Sequence, residues 1–449
     1  MKTKFIALVL GVFTLASCES WNPPAEEPVI IIDEPIVVEP IVMSPPPPMP
    51  PVSRPEPMII AEPLVIAEPI IVEEAIIMES VAVPDENAPD EVLTGELDFD
   101  AKVEDEASGK DTVVVYYGTN RELITDNNGK PIQSKFPEEI YGELPGPLHY
   151  GKALIVIPPR HKRGRLEGQI VGRSTNDKRY VVLKAMEHAN YDLVMDEVQE
   201  ELSRAKEGER TLVAYVHGFN TSFEKAARRA GQLKYDLEYG GPFFFFSWPS
   251  KASALGYTHA ANLAEISYTQ MTEFLHDLTK QDADRIIIIA HSMGTRVFAH
   301  GLVDLASQDE EAAKKITKVI LAAPDIDARV FKERLLPKFD FLVNKITLYA
   351  SDKDTALAAS KKVNGLPRIG DVSRSVGGLE ELENVIMIDA SDVKSNLLNH
   401  TYFGDSVSIV DDFKSIVSGP VAAKDRKETL VRMGDAPSQL WKVIREKAN

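Results

Sequence analysis

The chain has a single cysteine, Cys18, in 449 residues. That scarcity excludes an intramolecular disulfide, a CxxC metal site and a cysteine nucleophile in the body of the chain. A basic excess is missing as well. The net charge is −19, and the imbalance sits almost wholly in residues 19–100, which carry 19 acidic side chains and 1 basic one. Residues 101–449 are nearly balanced, with 50 acidic and 47 basic groups. No basic stripe runs along the chain, which argues against nucleic acid as a partner.

The first residues, MKTKFIALVLGVFTLASC, pair Lys2 and Lys4 with an apolar run from Phe5 to Leu15. That run falls short of the roughly 20 residues that a bilayer-spanning helix needs. Small Ala16 and Ser17 then precede the cysteine, as a processing site requires. Leu-Ala-Ser-Cys resembles the lipobox of bacterial lipoproteins. The resemblance implies a signal peptide over 1–17, lipidation of Cys18 and a membrane anchor. Glu19 in the next position favours the outer membrane of the bacterial envelope.

Residues 18–110 repeat a loose unit of Glu-Pro followed by apolar residues, as in EEPVIIIDEPIVVEPIVM and AEPLVIAEPIIVEEAII, with SPPPPMPPVSRPEP between the blocks. Proline at this density forbids helix interiors and central strands. Like charges along the segment favour an extended, polyproline-rich linker. The Glu-Pro interruptions guard the Ile/Val triplets against pairing as strands.

The texture changes at residue 111. Apolar runs of strand length alternate with segments of helical spacing: TLVAYVHGF, PFFFFSWPS, RIIIIAHS, KVILAAPDID, KITLYASDKD and NVIMIDAS follow one another with helices between. Continuous apolar strands indicate a mostly parallel sheet covered on both faces, and the alternation predicts a doubly wound α/β domain over 111–420. A single helix is expected over about 257–279. In the tail, 421–449, the last half is expected to form a short helix around Leu440–Ile444.

Ligands of such sheets sit at the carboxyl ends of the strands, so the residues just after each strand carry the chemistry. Ser292 follows one of them, in IIIIAHSMGTR, with Gly294 two residues on and Ala290 where glycine is usual. A nucleophilic serine needs a base within hydrogen-bond reach and an acid that orients it; on this architecture the order is Ser, acid, His. Of nine histidines only His300 and His400 come after Ser292, and His300 falls inside the next helix. His400 is therefore the candidate base. Asp354 leads as the acid, with Asp352 and Asp325 as alternatives, and either of the first two could instead cap a helix near Thr355. His217-Gly218-Phe219 ends the strand two before the serine strand. Its glycine permits close approach, and the amides of Phe219 and Met293 are candidate oxyanion donors. The four phenylalanines Phe243–Phe246 read as a buried strand.

VAYVHGFNTSFEKAARRAGQL, FSWPS, IIIAHSMGTRV, LAAPDID, TLYASDKDTAL and NHTYF occur in that order. Together, over about residues 112–410, they resemble a bacterial α/β-hydrolase family, the domain of unknown function 900, described as esterase- or lipase-like. The resemblance implies Ser292 as nucleophile, Asp354 as acid and His400 as base in hydrolysis of an acyl ester, with no metal or cofactor. The same triad would serve a peptidase or acyltransferase, and the fold without turnover would serve an envelope scaffold. About 17 residues separate Asp327 from Lys345, too few for a large lid, so an open site is expected, favouring short or medium acyl esters or an envelope polymer over long-chain triglyceride.

Overall fold

The computed structural model describes residues 111–444 except 133, 135, 169–175, 251–255, 343–344, 372–384, 394–399, 420–421, 427–428 and 434–439. The signal segment, Cys18 and the linker lie outside the described residues.

Eleven strands form one sheet: β1 (Asp111–Leu123), β2 (Tyr141–Ile157), β3 (Val182–Ala189), β4 (Thr211–Val216), β5 (Phe243–Ser247), β6 (Arg285–His291), β7 (Ile316–Ala322), β8 (Ile346–Ala350), β9 (Val385–Asp389), β10 (Leu430–Arg432) and β11 (Leu440–Val443). Their spatial order is β10-β11-β9-β8-β7-β6-β4-β5-β1-β2-β3. The neighbours from β1 through β11 pair parallel, whereas β2, β3 and β10 add antiparallel edges.

The main helices are α1 (Tyr191–Ser203), α2 (Phe223–Asp236), α3 (Gly256–Ile266), α4 (Tyr268–Thr279), α5 (Gly294–Gln308), α6 (Thr355–Asn364) and α7 (Val407–Ser418). Side-chain alternation along the strands explains how they cover both faces. Ile286 and Ile288, with Phe244 and Phe246, enter the core under α1, α3, α4 and α5. Ile287 and Ile289, with Phe243 and Phe245, enter the opposite core under α2 and α7. Every residue of these runs is buried, so the apolar strings belong to strands with two covered faces.

The helix expected over 257–279 divides at Ser267. Its buried hydroxyl donates to the Leu263 carbonyl at 2.7 Å and accepts from Asn120 Nδ2 at 2.9 Å at the break between α3 and α4. The C-terminal region also differs from the expectation. Leu440–Val443 is strand β11, parallel to β9, and β10 pairs beside it, so the sheet continues past residue 420. A buried Arg426–Asp412 ion pair at 2.7 Å ties this addition to α7. Residues 328–342 form short helical turns with Phe331, Leu335 and Phe339 buried against the body.

The two-faced core gives a direct test. Phe245 is fully buried and sits edge-on to Phe223. Phe245→Ala should lower unfolding free energy by about 3–5 kcal/mol in a denaturant titration. A loss below about 1 kcal/mol would contradict the packing described.

Candidate active site

β6 delivers Ser292 on a sharp turn into α5. Ser292 has φ +51°, a left-handed backbone that a side chain adopts only at a cost of roughly 1 kcal/mol or more. Main-chain bonds hold it there. The Ser292 amide donates to the Ala322 carbonyl at 3.0 Å, and its own carbonyl accepts from the amides of Thr295 at 3.0 Å and Asp325 at 3.2 Å. Gly294 is required sterically, because a Cβ there would lie 2.1 Å from the His217 carbonyl oxygen. Gly218 is required for a similar reason: its Cβ would stand 2.7 Å from that of Ser292. Ala290 is a fully buried strand residue in register with Val216 and Leu321, and its methyl joins the core beneath α5.

Ser292, His400 and Asp354 form one hydrogen-bonded chain. His400 Nε2 lies 2.7 Å from Ser292 Oγ, and His400 Nδ1 lies 2.7 Å from Asp354 Oδ2. With the ring proton on Nδ1 facing the carboxylate, Nε2 is free to accept from the serine hydroxyl. Burial pushes the His400 pKa down, but the charge and hydrogen bond of Asp354, with a smaller contribution from Asp325, outweigh it. The net shift is upward from the ordinary imidazole value. Asp354 does two jobs, since its Oδ1 also caps α6 by accepting from the Leu357 amide at 3.0 Å.

The alternative acids lie elsewhere. Asp352 is exposed. Asp325 is buried but bound by Tyr257 Oη at 2.6 Å, Ser360 Oγ at 2.6 Å, Arg296 Nη2 at 3.1 Å and Arg368 Nε at 3.2 Å. His300 stacks on Tyr268 with ring centroids 4.4 Å apart.

The segment bearing His400 is seated by residues that sequence reasoning gave no role. His291 Nε2 donates to the His400 carbonyl at 3.2 Å, and its ring stacks on Phe403 at 4.3 Å. Burial first, and then the neighbouring His400, drive the His291 pKa well below the ordinary value, so this ring is a neutral donor. Arg229 on α2 donates to the Gly404 carbonyl at 2.7 Å, pairs with Asp405 at 2.8 Å and covers the Phe403 ring.

The loop after β4 is fixed from below. His217 Nε2 accepts from the Trp248 amide at 3.1 Å, the Trp248 indole donates to the His217 carbonyl at 2.8 Å, and the two rings are stacked. Burial, with the nearby Arg121 charge, pushes the His217 pKa down to about 3, so it is a neutral structural group. Arg121 itself donates to Ser247 Oγ and to the carbonyls of Thr221 and Trp248 at 2.8–2.9 Å. Among the described residues, the amides of Phe219 and Met293 have no intramolecular acceptor. The Phe219 ring leans edge-on against Tyr257 at 5.8 Å.

No curated protein matches the chain. Among solved structures, it is similar to LpqC, a poly(3-hydroxybutyrate) depolymerase from Bordetella parapertussis, at 12% identity and a TM-score of 0.26. That match covers 73% of this chain and 96% of the other, and it is too loose to bear on fold or substrate. The family described as alpha/beta hydrolase of unknown function (DUF900) matches residues 194–418, half of the chain and the part that holds Ser292, Asp354 and His400. With strand order and elbow in accord, the chain belongs to that family of α/β-hydrolases.

Proposed function

We propose that the protein is a serine carboxylesterase working through an acyl-enzyme. The observation that carries this reading is the unbroken chain from Ser292 Oγ through His400 to Asp354, with both contacts at 2.7 Å. His400 takes the Ser292 proton as the hydroxyl attacks the ester carbonyl, and Asp354 stabilises the imidazolium that results. The amides of Phe219 and Met293, with no acceptor of their own, receive the oxyanion. His400 then protonates the departing alcohol and activates water for deacylation. A hydroxyl, an imidazole and a carboxylate suffice for this sequence, so acyl transfer to water closes with no further reagent.

The segment over 328–342 packs its apolar residues inward, which favours an open site and short or medium acyl esters. Lipidation at Cys18 would tether this body to the bacterial envelope. The tether joins at Asp111, the start of β1, which pairs parallel with β5. Asp111 lies at the amino ends of the parallel strands, whereas Ser292 follows the carboxyl end of β6.

Three outcomes are expected. A fluorophosphonate probe should label the wild-type protein and not Ser292→Ala, whose ester turnover should fall by about 10⁴-fold or more; an unlabelled wild type alongside a labelled control hydrolase would sink the assignment. Because the base must be neutral and its pKa is raised, kcat/KM should fall as pH drops through a value above that of an ordinary imidazole. Asp354→Asn should move that limb to lower pH while cutting the rate, and an unmoved limb counts against Asp354 as the partner. Finally, a p-nitrophenyl ester panel should favour short and medium chains, and strong interfacial activation on long-chain lipid would refute the open-site reading.

A further inference from the structure

Asp325 is the most heavily bonded buried carboxylate near the elbow, and the acyl-transfer scheme does not use it. It is 2% exposed. Its two oxygens meet four separate segments: Tyr257 on α3, Arg296 on α5 and Ser360 on α6 donate hydrogen bonds, and Arg368 in the following loop, itself bonded to Ser360 Oγ, forms an ion pair at 3.2 Å. Arg296 Nε also donates to the Asp325 main-chain carbonyl. His400 Nδ1 faces Asp354 Oδ2 at 2.7 Å instead, so Asp325 is not its hydrogen-bond partner.

Its main chain reaches the reactive residue directly. The Asp325 amide donates to the carbonyl of Ser292 at 3.2 Å, while the Ser292 amide is held by Ala322 at 3.0 Å. The short stretch from Ala322 to Asp325 thus holds both the amide and the carbonyl of Ser292. It is itself strained, since Ala323 has φ +46°. Left-handed non-glycine residues persist only when the surroundings over-determine them. The Ala323 amide is held by the Tyr349 carbonyl at 3.0 Å, and Asp325 supplies one of the main-chain bonds on Ser292.

We propose that Asp325 is a positioning residue for Ser292: its carboxylate, gripped from four segments, fixes the amide that holds the Ser292 carbonyl and so the strained elbow. This rests on the serine-hydrolase reading. Asp325 also places a negative charge near His400. The groups facing His400 are Asp354 after β8, Asp325 after β7 and neutral His291 on β6; those facing Asp325 are Arg296, Arg368 and Tyr257. Removing the Asp325 charge leaves two guanidiniums unpaired on that side. Both changes disfavour the imidazolium, so the limb belonging to His400 moves to lower pH.

The test compares wild type, Asp325→Asn and Tyr257→Phe as full-length protein, using p-nitrophenyl ester kinetics, fluorophosphonate labelling rates and thermal melting. Asp325→Asn keeps the shape and an acceptor oxygen. It should lower kcat about 10- to 100-fold with KM changed less than about 2-fold, as expected for a misplaced nucleophile. It should also move the acidic limb of kcat/KM down by roughly 0.5 pH unit. Tyr257→Phe removes one donor and should lower kcat about 2- to 5-fold with the limb unmoved. A wild-type kcat in Asp325→Asn would overturn the proposal. So would a loss of activity that follows the folded fraction while the limb stays in place, because a merely structural carboxylate would behave that way. An unlabelled, inactive wild type would remove the hydrolase reading and this proposal with it, an outcome distinct from an active wild type beside an unaffected variant.

Discussion

The left-handed backbone at Ser292 is the constraint on which the rest of the site depends. A serine at φ +51° turns the chain out of β6 and into α5 within two residues, which brings the hydroxyl to His400. The conformation is costly, and local sequence cannot hold it. Its support comes from the neighbouring strands: Ala322 at the end of β7, Asp325 three residues further, and the His217 carbonyl beside Gly294 on the β4 side. The parallel register that sets Val216 beside Ala290 and Ala322 beside His291 is therefore part of the site, because a shift in either pairing would remove the partners of the elbow.

Asp354 shows how one side chain couples helix formation to chemistry. An N-cap aspartate uses one oxygen to accept a main-chain amide, and here the Leu357 amide takes Oδ1 and leaves Oδ2 for His400. The cap orients the carboxylate before any substrate arrives. Asp352, two residues earlier, has no such restraint and stays at the surface. The capping alternative raised for these aspartates and the role of hydrogen-bond partner to His400 turn out to be compatible, because a carboxylate has two oxygens.

Much of the fold was legible because its strands are buried on both faces. Runs such as Ile286–Ile289 and Phe243–Phe246 admit little else once helices alternate with them. The edges were harder. Val431 at the β10 edge is exposed and Lys442 in β11 only partly covered, so the apolar signal there is thin and a charged tail resembles a docking helix. The break at Ser267 is bonded to Asn120, 147 residues away, and no local pattern encodes that contact. For the site, chain order brought Ser292, Asp354 and His400 into view. The arginines did not emerge, because charge in an amphipathic helix or at a strand end ordinarily marks solvent. Arg229 and Arg121 are buried instead, and only the folded topology reveals the carbonyls they serve.

Arg121 makes the loop beside the candidate site rigid. Burial lowers its pKa to about 10, which still leaves the guanidinium charged at neutral pH. A charge placed there at such a cost has to be well solvated by protein, and its donors go to Ser247 at the end of β5 and to Trp248 and Thr221 on the loops after β5 and β4. Loosening either loop would strand a buried cation, so the penalty for motion exceeds that of losing one ordinary hydrogen bond. Trp248 and His217 lock the same loops to each other by two further bonds. The Phe219 amide thus sits on a segment clamped at both ends. An oxyanion donor contributes most when it need not reorganise as charge develops. The bonds that make this loop stiff are also those that would let a single main-chain amide stabilise a transition state.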